Sequence, residues 1–210
     1  MKKRLLHTFH FLKQKVRKHP IKTVILVCCL VWYAFCLPRQ LFPQPYATVL
    51  ESSEGKLLGA KIANDGQWRF PEVDSVPYRF KMSVLQFEDA HFYHHWGVNP
   101  ISVVKSLYRN ITNGKITRGG STLTQQVIRI AREHQQRTYF EKLIEMIWAT
   151  RLEFRYSKES ILKLYASHAP FGGNVVGLDM AAWRYFGVAS YQLSWAQSAT
   201  LAVLPNAPSL

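Results

Sequence analysis

The sequence predicts a mainly α fold with a small β element and one apolar helix ahead of both. Three observations predict it. Helix-start signatures recur from about residue 99 onward, each followed by apolar residues three and four apart. β-prone runs separated by turn residues are confined to residues 46–70. An uninterrupted apolar run, Val24 to Leu37, follows a basic N-terminus.

That N-terminus sets the topology. Lys2, Lys3, Arg4, Lys13, Lys15, Arg17, Lys18 and Lys22 precede the run, and no acid occurs before Glu51. The chain carries +14 overall, and without those eight charges the remainder is +6. Such an excess suits an anionic substrate or anionic headgroups. Residues 1–22 read as a basic cytoplasmic tail and 23–38 as a transmembrane anchor. The run is short for a span, which needs about 17–25 residues, but Ile21 and Thr23 extend it and Lys22 can snorkel. A cleaved signal peptide competes, yet Ala34-Phe35-Cys36 fits a small-residue cleavage site poorly. The positive-inside bias puts the N-terminus in the cytoplasm and residues 39–210 outside. Cys28, Cys29 and Cys36 all lie in the run, so no disulfide framework is expected beyond it.

Residues 39–75 read as a linker and short β region, beginning with Pro38, Pro43 and Pro45. Tyr46–Leu50 and Lys56–Leu58 are β-prone around a Ser52–Gly55 turn, and Asn64-Asp65-Gly66 makes a second turn before Trp68. Residues 76–210 read as a helical domain. Asn99-Pro100 starts a helix with the stripe Ile101, Val104, Leu107, Tyr108 and Ile111. Thr122 with Gln125 and Thr138 with Glu141 are capping-box spacings, and Ser157 and Ser194-Trp-Ala-Gln197 start two more helices. Gly172-Gly173 breaks the chain.

Three stretches carry chemistry. In Glu88-Asp-Ala-His-Phe-Tyr-His-His-Trp-Gly97, adjacent carboxylates precede three histidines, and His91 and His95 are four apart. That leaves a metal site, an acid/base site or a packed corner open. Arg118-Gly-Gly-Ser-Thr-Leu-Thr-Gln-Gln-Val-Ile-Arg129 puts hydroxyls, amides and arginines at a helix start, which suits a phosphate. A well-capped helix with polar decoration explains it equally. In Arg137-Thr-Tyr-Phe-Glu-Lys-Leu-Ile-Glu145, Lys142 and Glu145 share a face. Lys142 favours ionisation of Glu145 and Glu141 opposes it. A solvated helix face is the plain alternative.

Taken in order, these stretches resemble the peptidoglycan glycosyltransferases, glycosyltransferase family 51. Glu88, Asp89, Phe92, His95 and Gly97 match its first motif, and Gly119 to Gln126 with Arg129 match its second. Arg137, Thr138, Lys142, Glu145, Leu152 and Glu153 match its third. Ser157-Lys158-x-x-Ile161-Leu162-x-x-Tyr165 and Leu201-Ala-x-Leu-Pro-x-Ala-Pro208 match the fourth and fifth. The likeness covers about residues 46–210. The Ala169–Gly173 and Trp183–Gly187 runs look most like the 1C-type penicillin-binding proteins.

The resemblance implies a lysozyme-like helical transglycosylase domain that polymerises lipid II onto a growing glycan strand, with inversion at the donor carbon. It implies catalytic roles for Glu88, as general base, and Glu145. It implies substrate contacts from Asp89, Phe92, His95, Arg118, Ser121, Thr122, Gln125, Gln126, Arg129, Arg137 and Lys142, with Asp89 also tuning Glu88 and His95 ordering the loop. No protein metal site is expected. A magnesium or manganese ion at the pyrophosphate is compatible with the chemistry. Partners implied are the membrane and transpeptidases or other cell-wall synthesis proteins, and no nucleic acid, because the densest basic charge flanks the apolar run. Three departures stand out: Glu141 replaces a usual arginine, Ala166-Ser167 replaces Leu-Asn, and the family's later C-terminal helices are expected to be missing after Leu210. Two other readings compete, a lysozyme-like lytic enzyme and a non-catalytic membrane-anchored scaffold. Lytic chemistry leaves the Gly-Gly-Ser-Thr start and its basic helix without a purpose.

Overall fold

The computed structural model describes residues 19–113, 120–133 and 138–206. The chain divides after Pro38 into two compact units. In the first, helix α1 (Pro20–Phe35) has proline at its start, where a missing N–H costs nothing. It begins and ends three residues before the expected 23–38 span. Its 16 residues are about 24 Å long at 1.5 Å per residue. Among the described residues no helix is long and apolar enough to cross a membrane.

The second unit is mainly helical, with two small sheets. Strands β1 (Thr48–Glu51) and β2 (Leu57–Lys61) pair antiparallel around the expected turn, where the Ser52 hydroxyl accepts from the Glu54 and Lys56 amides. The second sheet was not legible in advance. Strand β3 (Trp68–Arg69) runs parallel to β5 (Val175–Val176), which pairs antiparallel with β4 (Pro170–Gly172). The expected Gly172-Gly173 break falls at the end of β4, and Gly173-Asn174 is the turn of that hairpin.

The start of the second unit is packed rather than extended. Leu41, Phe42 and Ala47 are buried. The Phe42 ring stacks on His168 at 3.7 Å, and the Tyr46 hydroxyl donates to Glu72, whose carboxylate also lies 3.2 Å from His168 Nε2. Arg155 donates to the Arg39 carbonyl and Arg69 to that of Pro45. Burial and the Glu72 carboxylate push the Tyr46 phenol up to about 12. Burial pushes the His168 imidazole down and outweighs the opposing pull of Glu72.

Among the described residues seven further α-helices follow: α2 (Tyr78–Glu88), α3 (Pro100–Asn113), α4 (Leu123–Ala131), α5 (Tyr139–Arg155), α6 (Lys158–His168), α7 (Leu178–Phe186) and α8 (Trp195–Val203). The expected caps form. Asn99 Oδ1 accepts from the Ile101 and Ser102 amides, and the Thr122, Thr138, Ser157 and Ser194 hydroxyls each accept from the N3 amide. Helix α2 packs on α8, and α4 packs on α5 and α6. Phe80, Val84, Leu123, Val127, Ile128, Leu152, Ile161, Tyr165 and Leu201 fill the core.

The α3 stripe does not join that core. Ile101, Val104, Tyr108 and Ile111 are all at least 66% exposed, as are Tyr139 and Phe140 at the start of α5. Helical periodicity identified the face but not what covers it.

The buried imidazole has a consequence for stability. His168 is held neutral, so below its unfolded value of 6.5 the unfolded chain takes up a proton that the folded chain does not. Stability therefore falls as pH drops through 6.5 towards the lower folded value. Thermal melts of the detergent-solubilised chain from pH 7.5 to 5.5 should show a fall in Tm. His168→Phe, which can keep the stack on Phe42, should flatten that fall, and parallel curves for the two proteins would exclude the assignment.

Candidate active site

Helix α2 ends where the first motif begins. Pro77 starts the helix and Asp89, at φ −159 and ψ 72, ends it. The two carboxylates at this junction go opposite ways. Glu88 is half-buried, and its Oε2 accepts from Gln126 Nε2 at 2.6 Å. Asp89 is buried, and its Oδ2 accepts from the Leu123 amide at 3.0 Å. His95 Nε2 lies 2.9 and 3.1 Å from the two Asp89 oxygens. Leu123 is the first residue of α4, so the carboxylate meets the positive end of that helix.

The first turn of α4 carries both halves of the site. Gln126 holds Glu88, while Gln125 Oε1 accepts from Lys142 Nζ at 2.9 Å. The same ammonium donates to Ser121 Oγ at 2.6 Å and to Glu145 Oε2 at 3.2 Å. Lys142 and Glu145 sit three apart on α5, as their spacing requires. The Lys142 side chain stays 37% exposed, so a cation with hydroxyl and amide neighbours faces solvent. Arg129, one turn after Gln125, is half-buried and makes no ion pair among the described residues. Glu141 lies against Arg132, whose guanidinium also covers the Trp148 ring at 4.6 Å.

A buried network supports this turn. Thr124 donates to Glu153 at 2.6 Å. Lys158 donates to Glu153 and to the His95 carbonyl, each at 2.7 Å, and its ammonium lies 4.4 Å from the centre of the Phe92 ring. Thr122 donates to the Gly97 carbonyl at 2.6 Å. Gly97 has φ +79, and a Cβ there would stand 2.6 Å from the Ala149 carbonyl oxygen. Glycine is required because α5 passes in direct contact with that backbone.

The structure thus brings Glu88, Gln126, Ser121, Gln125, Lys142 and Glu145 to one turn. It corrects four expectations of substrate contact. Asp89, Phe92, His95 and Thr122 are each at most 8% exposed, and their polar or ring contacts are internal. They shape the site from behind. Arg118 and Arg137 lie outside the described residues. His91 and His94 are exposed, and among the described residues no three His, Cys, Asp or Glu side chains converge as metal ligands. Glu145 is a single carboxylate already bound to Lys142, so this donor set does not make a protein cage for magnesium or manganese. The support by Glu153, Lys158 and Thr124 was missed. Its one sequence signal is Glu153 five residues before Lys158 across a helix boundary.

A transglycosylase family model matches residues 54–210. Penicillin-binding protein 1C of Escherichia coli (strain K12) is 39% identical over 176 residues, covering 81% of this chain and 23% of that protein. Penicillin-binding protein 1A of Aquifex aeolicus is 32% identical over 78% of the chain and 22% of the relative. Penicillin-binding protein 1A/1B of Bacillus subtilis is 34% identical over 78% of the chain and 18% of the relative. The chain thus spans less than a quarter of the length of these curated relatives.

The Glu153–Lys158 pair offers a direct test of the network. Lys158→Met leaves a carboxylate that is 6% exposed with no cation beside it. Breaking such a pair costs about 3–5 kcal/mol. Urea unfolding should show that loss, and the double variant Glu153→Gln with Lys158→Met should recover part of it.

Proposed function

This chain belongs to the transglycosylase family, and on that premise we propose that it is a peptidoglycan glycosyltransferase that polymerises lipid II. The observation that carries the proposal is the pairing on one helical turn. A carboxylate held by Gln126 stands on one side of α4, and an ammonium with hydroxyl and amide neighbours stands on the other. A glycosyl transfer from a pyrophosphate needs both. One group must take a proton from the attacking hydroxyl, and another must receive charge on the departing phosphate.

In this mechanism Glu88 takes the proton of the acceptor 4-hydroxyl. The new C–O bond forms at the donor C1 as the bond from C1 to the pyrophosphate oxygen breaks. Attack from the face opposite the leaving group inverts that carbon. Gln126 donates to the Glu88 carboxylate and holds it in place before reaction. Lys142, Ser121 and Arg129 receive the pyrophosphate, joined by Arg118 and Arg137 from outside the described residues. Glu145 and Gln125 hold the Lys142 ammonium in place. A magnesium or manganese ion at the pyrophosphate would share in receiving that charge. A lytic reaction would leave the Lys142 cluster without a task.

The substrate carries a lipid chain, which bears on location. We place α1 in the cytoplasmic membrane with residues 39–210 outside. The basic N-terminal charge and the exposed apolar side chains from Ile21 to Phe35 support this. At about 24 Å the helix needs local thinning or an added turn to match a hydrocarbon core of about 30 Å. The exposed stripe of α3, and the exposed Tyr139 and Phe140 at the start of α5, suit an acyl-chain surface. Transpeptidases and other cell-wall synthesis proteins are the proposed partners.

Glu88→Gln is the deciding variant. It should fold, keep lipid II binding within about twofold, and lose polymerisation by about 10²–10⁴-fold, the usual contribution of a general base. Gel analysis of polymer from labelled lipid II measures this. Wild-type polymerisation by Glu88→Gln would end the assignment.

A further inference from the structure

Helix α5 carries an apolar stripe on its outward side that the mechanism above does not use. The side that faces the core and the site holds Ala149 and Leu152, both fully buried, together with Lys142 and Glu145. Phe140, Leu143, Ile147 and Phe154 recur three, four and seven apart, so they line the opposite side. Phe140 is 68% exposed, Leu143 53% and Phe154 63%. A helix on a water-facing surface carries polar residues there. At the far end of the stripe Trp96, itself 67% exposed, pairs with the Phe154 ring at 5.4 Å.

The charge on this side has one sign. No acid falls on the stripe, and Arg151 lies on it three residues before Phe154. Arg155 follows in the last turn and donates to the Arg39 carbonyl, which brings a further arginine to the same end. Aromatic rings beside guanidiniums match the headgroup layer of an anionic bilayer. The donor makes the same demand. A pyrophosphate on a lipid chain stays at headgroup level, because its charge cannot enter hydrocarbon and its chain cannot leave it. Lys142 receives that pyrophosphate from the other side of this same helix. An α-helix is about 10 Å across, so a helix lying flat on the bilayer holds Lys142 at about that height.

We propose that α5 lies along the surface of an anionic bilayer, with Phe140, Leu143, Phe154 and Trp96 in the headgroup layer, and so sets the height of the donor site. The proposal deepens the polymerase reading and rests on it for the purpose of the contact.

The test uses the full chain in nanodiscs that contain a headgroup-nitroxide lipid. 4-Trifluoromethylphenylalanine replaces Phe140 or Phe154, and fluorine-19 spectra read its distance from the label. Both signals should broaden in phosphatidylglycerol discs. In phosphatidylcholine discs the contact should weaken by roughly fivefold for each arginine engaged. Leu143→Glu, at an exposed position, should keep Tm and lose the broadening at both sites. It should also raise KM for lipid II in discs several-fold and leave KM for a water-soluble, short-chain analogue unchanged. Unbroadened signals at both positions in phosphatidylglycerol discs would overturn the proposal. So would a dimer of the wild-type chain that Leu143→Glu dissociates, because a second copy would then cover the stripe. Broadening in a chain that does not polymerise lipid II would remove the polymerase reading and keep the surface.

Discussion

The arrangement depends on the Asp89 carboxylate. It accepts from the Leu123 amide and contacts Nε2 of His95, all away from solvent. One side chain therefore ends α2, closes the loop through His95 and fixes the start of α4. Backbone neighbours at a helix end diverge. Burying Asp89 turns Glu88 outward, and the same contact fixes α4 so that Gln126 meets Glu88. The positive end of α4 suits the carboxylate it receives, a polar group that is costly to bury without partners.

A second charged pair extends the scaffold across the other motifs. Lys158 joins Glu153, the His95 carbonyl and the Phe92 ring, while Thr124 joins Glu153 from α4. Buried pairs of this kind add little net stability compared with apolar packing. Their use here is geometric. A carboxylate and an ammonium with several fixed partners allow one relative placement of four segments, and Gly97 admits α5 to within direct contact. The polar interior behind the site specifies position, while Phe80, Leu123, Leu152 and Ile161 supply the apolar burial.

Local physics made much of this legible. Caps at Asn99, Thr122, Thr138, Ser157 and Ser194 are read from the chain because a side chain meets an amide two or three residues on. The Lys142 and Glu145 pairing follows from helical spacing. Direction was harder. Motif membership told which residues matter but not which way each points, so Asp89, Phe92, His95 and Thr122 were expected in the cleft and lie behind it. The pairing of Trp68 with Val175 left no local trace, since neither partner's neighbours signal the other. The α3 stripe shows the same gap, because an apolar face is written in sequence while its covering is not.

The parallel pairing of β3 with β5 also bears on how the chain is made. Trp68 meets Val175 across 107 intervening steps of sequence. At about 5–20 residues per second, the ribosome needs roughly 5–20 s to supply the second partner. Val73, whose amide donates to the Ser167 hydroxyl, waits nearly as long, and Phe42 waits longer for His168. Nascent chains therefore hold Phe42, Trp68 and Val73 without these native partners while the catalytic motifs are still being synthesised.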